Sequence, residues 1–132
     1  MTLRASMAVG IVGSVVLMSS AFAGELDCVD TARTNPEVDA CAMDAISRAE
    51  TRVENLFAMV GDRLKGQNGA NEMLAAAQQN WSAYRNVECL VEAAAVNGST
   101  AKPVSVDANR AFVSCVYRTA IELEAALQKA LK

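Results

Sequence analysis

The chain has 132 residues, 52% hydrophobic and 20% charged, with 12 basic and 15 acidic side chains and no histidine. That length suits one domain, and the missing imidazole removes His-based triads and the commonest metal ligand. A net charge of −3, with three Phe, two Tyr and one Trp, supplies neither a phosphate-tracking surface nor a base-stacking or carbohydrate-binding aromatic face.

Residues 1–23 read as a secretory signal peptide. Arg4 gives a positive start, Met7 to Met18 is uncharged and apolar, and Ala21-Phe22-Ala23 is a small-x-small cleavage site before Gly24. A retained anchor is the competing reading. It would have to span with about 17 residues, at the lower limit for a bilayer, and with Gly10, Gly13 and Ser14 inside the run. Leu26-Asp27-Cys28 is not a lipoprotein signal. The expected mature domain is 24–132, periplasmic or secreted, with 11 basic and 15 acidic side chains.

Gly24 to Thr34 reads as a short polar lead. Asn35-Pro36-Glu37 then predicts a helix start, with Asn35 as N-cap, Pro36 at the first helical position and an acid in the first turn. Val38, Ala42, Ala45, Ala49, Val53, Leu56, Val60 and Leu64 recur at steps of three and four, a helical stripe. Gly66-Gln67-Asn68-Gly69 ends it. A second helix is expected from about Asn71, with its stripe on Leu74, Ala77, Trp81, Tyr84, Val87 and Val91. It runs out at Asn97-Gly98-Ser99-Thr100, ahead of Pro103. A third begins near Ser105 or Asp107 and carries Phe112, Val116, Thr119, Leu123, Leu127 and Ala130. Lys129 and Lys132 suit the negative end of its dipole. No segment reads as a strand. The expected fold is all-α, an antiparallel three-helix bundle with a long first helix.

Many stripe positions are alanine, which contributes little buried area. A bundle this thin needs staples. All four cysteines, Cys28, Cys41, Cys89 and Cys115, lie after residue 23, and an even count in a small exported domain predicts two disulfides. With no C-x-x-C and no histidine, a metal site is poorly supported. Cys89 and Cys115 sit at similar depths from one bundle end, roughly 8 and 12 Å at 1.5 Å per residue, and the segment at Cys28 can fold back onto Cys41. This favours pairs 28–41 and 89–115. The start of the first helix lies at that same end, so 28–89 with 41–115, or 28–115 with 41–89, stays open. Each bridge is worth about 3 kcal/mol.

The densest cluster of informative side chains is Trp81 to Cys89. Trp81, Tyr84 and Glu88 share a helical face, which reads as a core Trp, a half-buried Tyr and Arg85 paired with a carboxylate from the first or third helix. A recognition patch is the alternative. Glu88 with Glu92, or Glu122 with Glu124, could form the carboxylate pair of a glycosidase, but helix-surface charge in a bundle without a deep cleft accounts for them. G-x-S-x-G, P-loop and G-x-G-x-x-G motifs are absent. No catalytic constellation assembles, and no cofactor or metal is expected.

Several of these residues fall into one pattern. Cys28 precedes N-x5-C-A (Asn35 to Ala42). A long helix follows, then A-x-Q-x-x-W-x-x-Y-R-x-x-x-C (Ala76 to Cys89, with Gln78), a Gly-Ser turn, and Cys115 with Thr119 beyond it. This resembles the LprI-type lysozyme-inhibitor family of small exported four-cysteine helical domains. The chain departs at Glu122, where the family usually carries arginine, and in a shortened loop at Asn97 to Thr100.

The resemblance implies a fold framework at Gln78, Trp81, Tyr84 and Arg85, and a protein that binds lysozyme without chemistry of its own. Lysozymes are generally basic, and an acidic partner is steered toward them. The expected contacts are the polar loop Asn97, Gly98, Ser99 and Thr100 with nearby Glu88 and Glu92, since a protruding loop can enter a cleft. The alternative function is an envelope interaction module, immunity-like or a secretion accessory, with a non-lysozyme partner. Exposed acids around a protruding loop favour the first reading; an exposed apolar groove for a peptide or helix favours the second. Neither involves nucleic acid, nor a membrane once the signal is removed.

Overall fold

The computed structural model describes residues 24–99 and 105–132. The signal-peptide expectation for residues 1–23 and the loop residue Thr100 lie outside them. The described residues are all-helical, without a strand. They form four helices rather than three: α1 (Asp27–Thr31), α2 (Asn35–Arg63), α3 (Ala70–Asn97) and α4 (Val106–Ala130). The additional helix is α1, a single turn inside the expected polar lead. It buries Val29, and its cysteine is bonded to α2.

The start of α2 is set by Thr34, one residue before the expected cap. Its hydroxyl accepts from the Glu37 N–H at 3.4 Å, and the Glu37 carboxylate accepts from the N–H groups of Thr34 (3.2 Å) and Arg33 (2.6 Å). This reciprocal capping box satisfies donors that the first turn leaves without partners. The α2 stripe buries Val38, Ala42, Ala45, Ala49 and Val53 as the periodicity requires, then Phe57 in place of Leu56. Gly69 opens α3 and Gly98 closes it. Both have positive φ, 76° and 68°, a conformation that glycine adopts without a Cβ penalty. Ser105 caps α4, accepting from the Ala108 N–H at 3.1 Å.

α4 packs along both α2 and α3, whereas α2 and α3 touch each other little. α4 therefore buries a broad surface, including Asn109, Thr119 and Glu124. Polar links join α2 to α4 in ascending order along both. Asn109 Nδ2 donates to Asp39 at 2.9 Å, Arg52 Nε to Glu124 at 3.0 Å, and Arg63 to the Leu131 carbonyl. Between α2 and α3 the order reverses: Glu50 meets Arg85, while Phe57 and Glu54 lie opposite Gln78.

Burial lowers the Arg52 pKa. The hydrogen bond and charge of Glu124, then Glu25 and Tyr117, outweigh that effect and leave it above its ordinary value. Arg110 ties α1 to α4. Its Nε donates to the Val29 carbonyl at 3.1 Å, and its guanidinium also reaches the Ala32 carbonyl and Asp107. Tyr117 donates to Glu25 at 2.7 Å.

The disulfides join Cys28 to Cys41 and Cys89 to Cys115, with Cα–Cα separations of 6.0 and 5.4 Å. This is the local map, not either crossed one. The second bridge turns α3 about its axis relative to the expected stripe. Cys89 is fully buried against Cys115 and Val116, so the inner face of α3 runs through Leu74, Trp81, Arg85, Cys89 and Ala93. Tyr84, Val87 and Val91, expected inside, are exposed. Ala77 is exposed as well. The apolar count was misleading because α3 is apolar on two faces. Among the described residues, no helix is long and apolar enough to cross a membrane.

Candidate functional site

Two features of α3 carry chemistry. The first is a cleft where α2 and α3 diverge, lined by Glu50, Glu54, Phe57, Gln78, Trp81 and Arg85. Trp81, Arg85 and Cys89 follow one another at four-residue steps, so one helical face presents all three. The Arg85 guanidinium lies 4.6 Å from the Trp81 ring centroid and donates to Glu50 at 2.5 Å. This is the carboxylate pairing expected of Arg85, with the partner on α2. Its side chain is 13% exposed, and its Nε is buried without a hydrogen-bond partner.

Trp81 also packs against Ala45, Ala49, Tyr117 and Ala120. It is half-buried rather than a full core residue, because its outer edge lines the cleft. At about 240 Å³ the cleft falls below the usual small-molecule range of roughly 300–1,000 Å³. It is large enough for one partner side chain.

The second feature lies where the C-terminal half of α3 meets α4. Arg118 bonds to Glu92 and lies 3.7 Å from Glu122. The bond from Glu92 raises its pKa most. Burial opposes this, and the charges of Glu92, Glu122 and Glu88 add to the rise. Tyr84 is 63% exposed, not half-buried. A hydrogen bond to Glu88, followed by the charge of Glu88, raises its hydroxyl pKa. Three carboxylates thus surround one guanidinium on a solvated face.

Glu88 and Glu92, the expected contact residues, are brought together here. Arg118 and Glu122 belong with them but were not singled out, since i,i+4 spacing within α4 does not reveal which α3 residues lie alongside. Glu124, paired with Glu122 in the sequence reading, points instead into the α2–α4 seam and bonds Arg52.

Asn97 is half-buried at the end of α3, while Gly98 and Ser99 are exposed. The Ser99 N–H returns to the Ala94 carbonyl at 3.3 Å. This part of the loop therefore also serves as the helix cap. It begins about 8 Å along the axis from Glu92, at 1.5 Å per residue. Gln78 is exposed on the rim of the cleft.

The family model described as lysozyme inhibitor LprI matches residues 28–122. The chain belongs to the LprI lysozyme inhibitor family. The matched span contains both disulfides, the Trp81–Arg85 cleft and the acidic cluster through Glu122. No curated protein and no solved structure matches the chain. LprI membership is consistent with a protein that works by binding rather than by chemistry.

Proposed function

We propose that this LprI-family chain is an exported lysozyme inhibitor acting by stoichiometric protein binding. Residues 1–23 direct export and are removed after Ala23. Residues 24–132 then act in the periplasm or outside the cell, with the three long helices as an antiparallel bundle. The reversed pairing order of α2 with α3 supports that arrangement.

The observation carrying the function is the acidic cluster of Glu88, Glu92 and Glu122 around a single arginine, in a chain of this family. The turn that begins at Asn97 starts about 8 Å along α3 from Glu92. Two carboxylates in excess on a solvated face attract a basic enzyme and orient its approach. The turn is the element able to enter the substrate cleft. Neither step needs a nucleophile, an acid–base pair or a cofactor.

The test is lysis of peptidoglycan by c-, g- and i-type lysozymes with excess oxidised protein. At least one type is inhibited, and inhibition weakens with salt because rim charges are screened. Glu92→Lys weakens it further while the fold is kept. Absence of both inhibition and low-salt binding for every type overturns the reading.

One observation favours the second reading, an envelope interaction module with a different partner: the outward face of α3 exposes Met73, Val87, Leu90 and Val91, with Glu72 in the first turn as its one charge.

A further inference from the structure

On its outward face, α3 carries a seam that its own fold does not use. Met73, Asn80, Val87 and Ala94 repeat every seven residues, and Ala76, Ala83 and Leu90 fall between them at alternating steps of three and four. This is heptad spacing held for three heptads, about 32 Å of helix. The residues lie opposite the buried face of Trp81, Arg85 and Cys89. Val87 and Val91 are 64% and 63% exposed, Met73 56% and Leu90 43%, and Ala76 and Ala83 are exposed between them. Flanking positions are uncharged at Ala77, Tyr84 and Val91 on one side and at Gln79 and Asn86 on the other; the one flanking charge is Glu72, in the first turn of α3.

From these observations we infer that the outward face of α3 is a homodimer interface, in which two copies pair α3 against α3 about a two-fold axis. The occupant follows from charge and area. Residues 24–132 carry four more acidic than basic side chains, so most faces repel a second copy, while two uncharged seams meet without like-charge contact. A heptad seam is also self-complementary: knobs of one copy fit holes of the same spacing in the other.

The exposed parts of Met73, Tyr84, Val87, Leu90 and Val91 come to about 500 Å² per protomer, at the upper end of what monomers leave uncovered. With the alanines between them the face approaches the roughly 800 Å² per partner of a stable complex. The alanines allow close approach of the helices, and Asn80, the polar member of the seam, sets register.

The experiment is sedimentation of the exported chain with both disulfides oxidised, across the micromolar range. The mass doubles with concentration. Val87→Glu places an unpaired charge at the seam twice and weakens the dimer by about 100-fold or more. Val91→Glu does the same and serves if the first variant folds poorly. Met43→Glu, at an equally exposed apolar position on α2, leaves the dimer intact. Circular dichroism and retained disulfides confirm the fold of each variant. A chain that stays monomeric at every concentration, or a dimer untouched by both seam variants, overturns the inference. So does a monomer whose seam variants lose binding to another protein, which would give the face to that protein. Lysozyme inhibition is read separately and survives or fails independently.

Discussion

The α2–α4 seam and the α3 layer are held in different ways. Along α2–α4, small side chains interlock and polar groups find partners at three levels: Asp39 with the buried Asn109, Arg52 with the buried Glu124, and, at the exposed end, Arg63 with the Leu131 carbonyl. α1 is drawn into the same assembly by the Cys28–Cys41 bridge, by Arg110 and by Tyr117. α3, in contrast, buries Ala70, Cys89 and Ala93, and its attachment relies on the Cys89–Cys115 bridge, the half-buried Trp81 and two ion pairs. The seam is secured by distributed packing and hydrogen bonds; α3 also packs along α4, but it buries fewer of its own side chains and adds a covalent staple, one aromatic anchor and two ion pairs. The layer with fewer buried side chains also carries the cleft, the acidic cluster and the largely apolar outer face. A surface offered to a partner cannot also be used for the protein's own core.

The sharpest way to break this contrast is to remove one staple at a time. Replacing Cys89 and Cys115 with alanine releases a 26-residue loop and costs about 3.5 kcal/mol on the loop-entropy estimate. Replacing Cys28 and Cys41 releases 13 residues and costs about 3 kcal/mol on the same estimate. The larger difference is expected in hydrogen exchange. The first double variant loses protection along α3 while α2 and α4 keep theirs, and the second loses it only at α1. Equal loss across all helices in the first variant would mean that α3 and the seam form one cooperative unit.

Trp81→Ala probes the non-covalent anchor. Full burial of the ring would make this cost about 3–5 kcal/mol. With its outer edge in the cleft, about 2–3 kcal/mol is expected from chemical denaturation. Arg85 then keeps Glu50 but loses the ring beneath it. A cost of 4 kcal/mol or more on this estimate would show that the cleft closes in solution.

In the seam, Glu124→Gln leaves Arg52 without its carboxylate. Breaking a buried pair costs about 3–5 kcal/mol. Arg52 keeps partial access to water, 31% of its side chain, so about 2 kcal/mol is expected after screening. The loss is read from the same denaturation curves. A cost below that of an ordinary surface ion pair would remove the distinction between seam and layer.

Legibility in the sequence divides along the same line. The α2 stripe was readable because its apolar residues recur on one face with Arg48, Arg52, Glu54 and Asp62 elsewhere. The start of α4 was equally plain from Ser105. Its wide burial was not, since a helix packed on two sides loses the one-sided pattern. In α3 the apolar recurrence starts on the inner face at Leu74 and Trp81 and then leads outward to Tyr84, Val87 and Val91. The counter-signal was Cys89: a bridge to Cys115 forces its face inward, and Trp81 and Arg85 follow at steps of four. α1 has too few residues for periodicity to register. The carboxylate cluster depended on Arg118 and Glu122 meeting Glu88 and Glu92 across helices, which spacing within one helix does not encode. The cysteine framework and the Gln78 to Cys89 motif were legible because they are local in the chain.

The smallest expected effect sets the two tyrosines against each other. Tyr117, in the seam, has its pKa pushed up to about 12, first by burial and then by donating to Glu25. Tyr84, on α3, is also raised, but by Glu88 at an exposed position. An unfolded tyrosine ionises near pH 10. Tyr117 therefore binds its proton more tightly in the folded state than in the unfolded one. Its contribution is fully present below about pH 10 and is lost as pH rises through about 12. By pH 11 the loss is about 1 kcal/mol, since one unit of the difference has then developed. Denaturation at pH 9 and 11 measures it. Tyr117→Phe lowers stability at pH 9 and removes the tyrosine share of the slope, whereas Tyr84→Phe leaves the seam's share in place. If the two variants flatten the slope equally, the Glu25 bond does not distinguish the seam from the layer, and the polar links of α2–α4 have to carry the contrast without it.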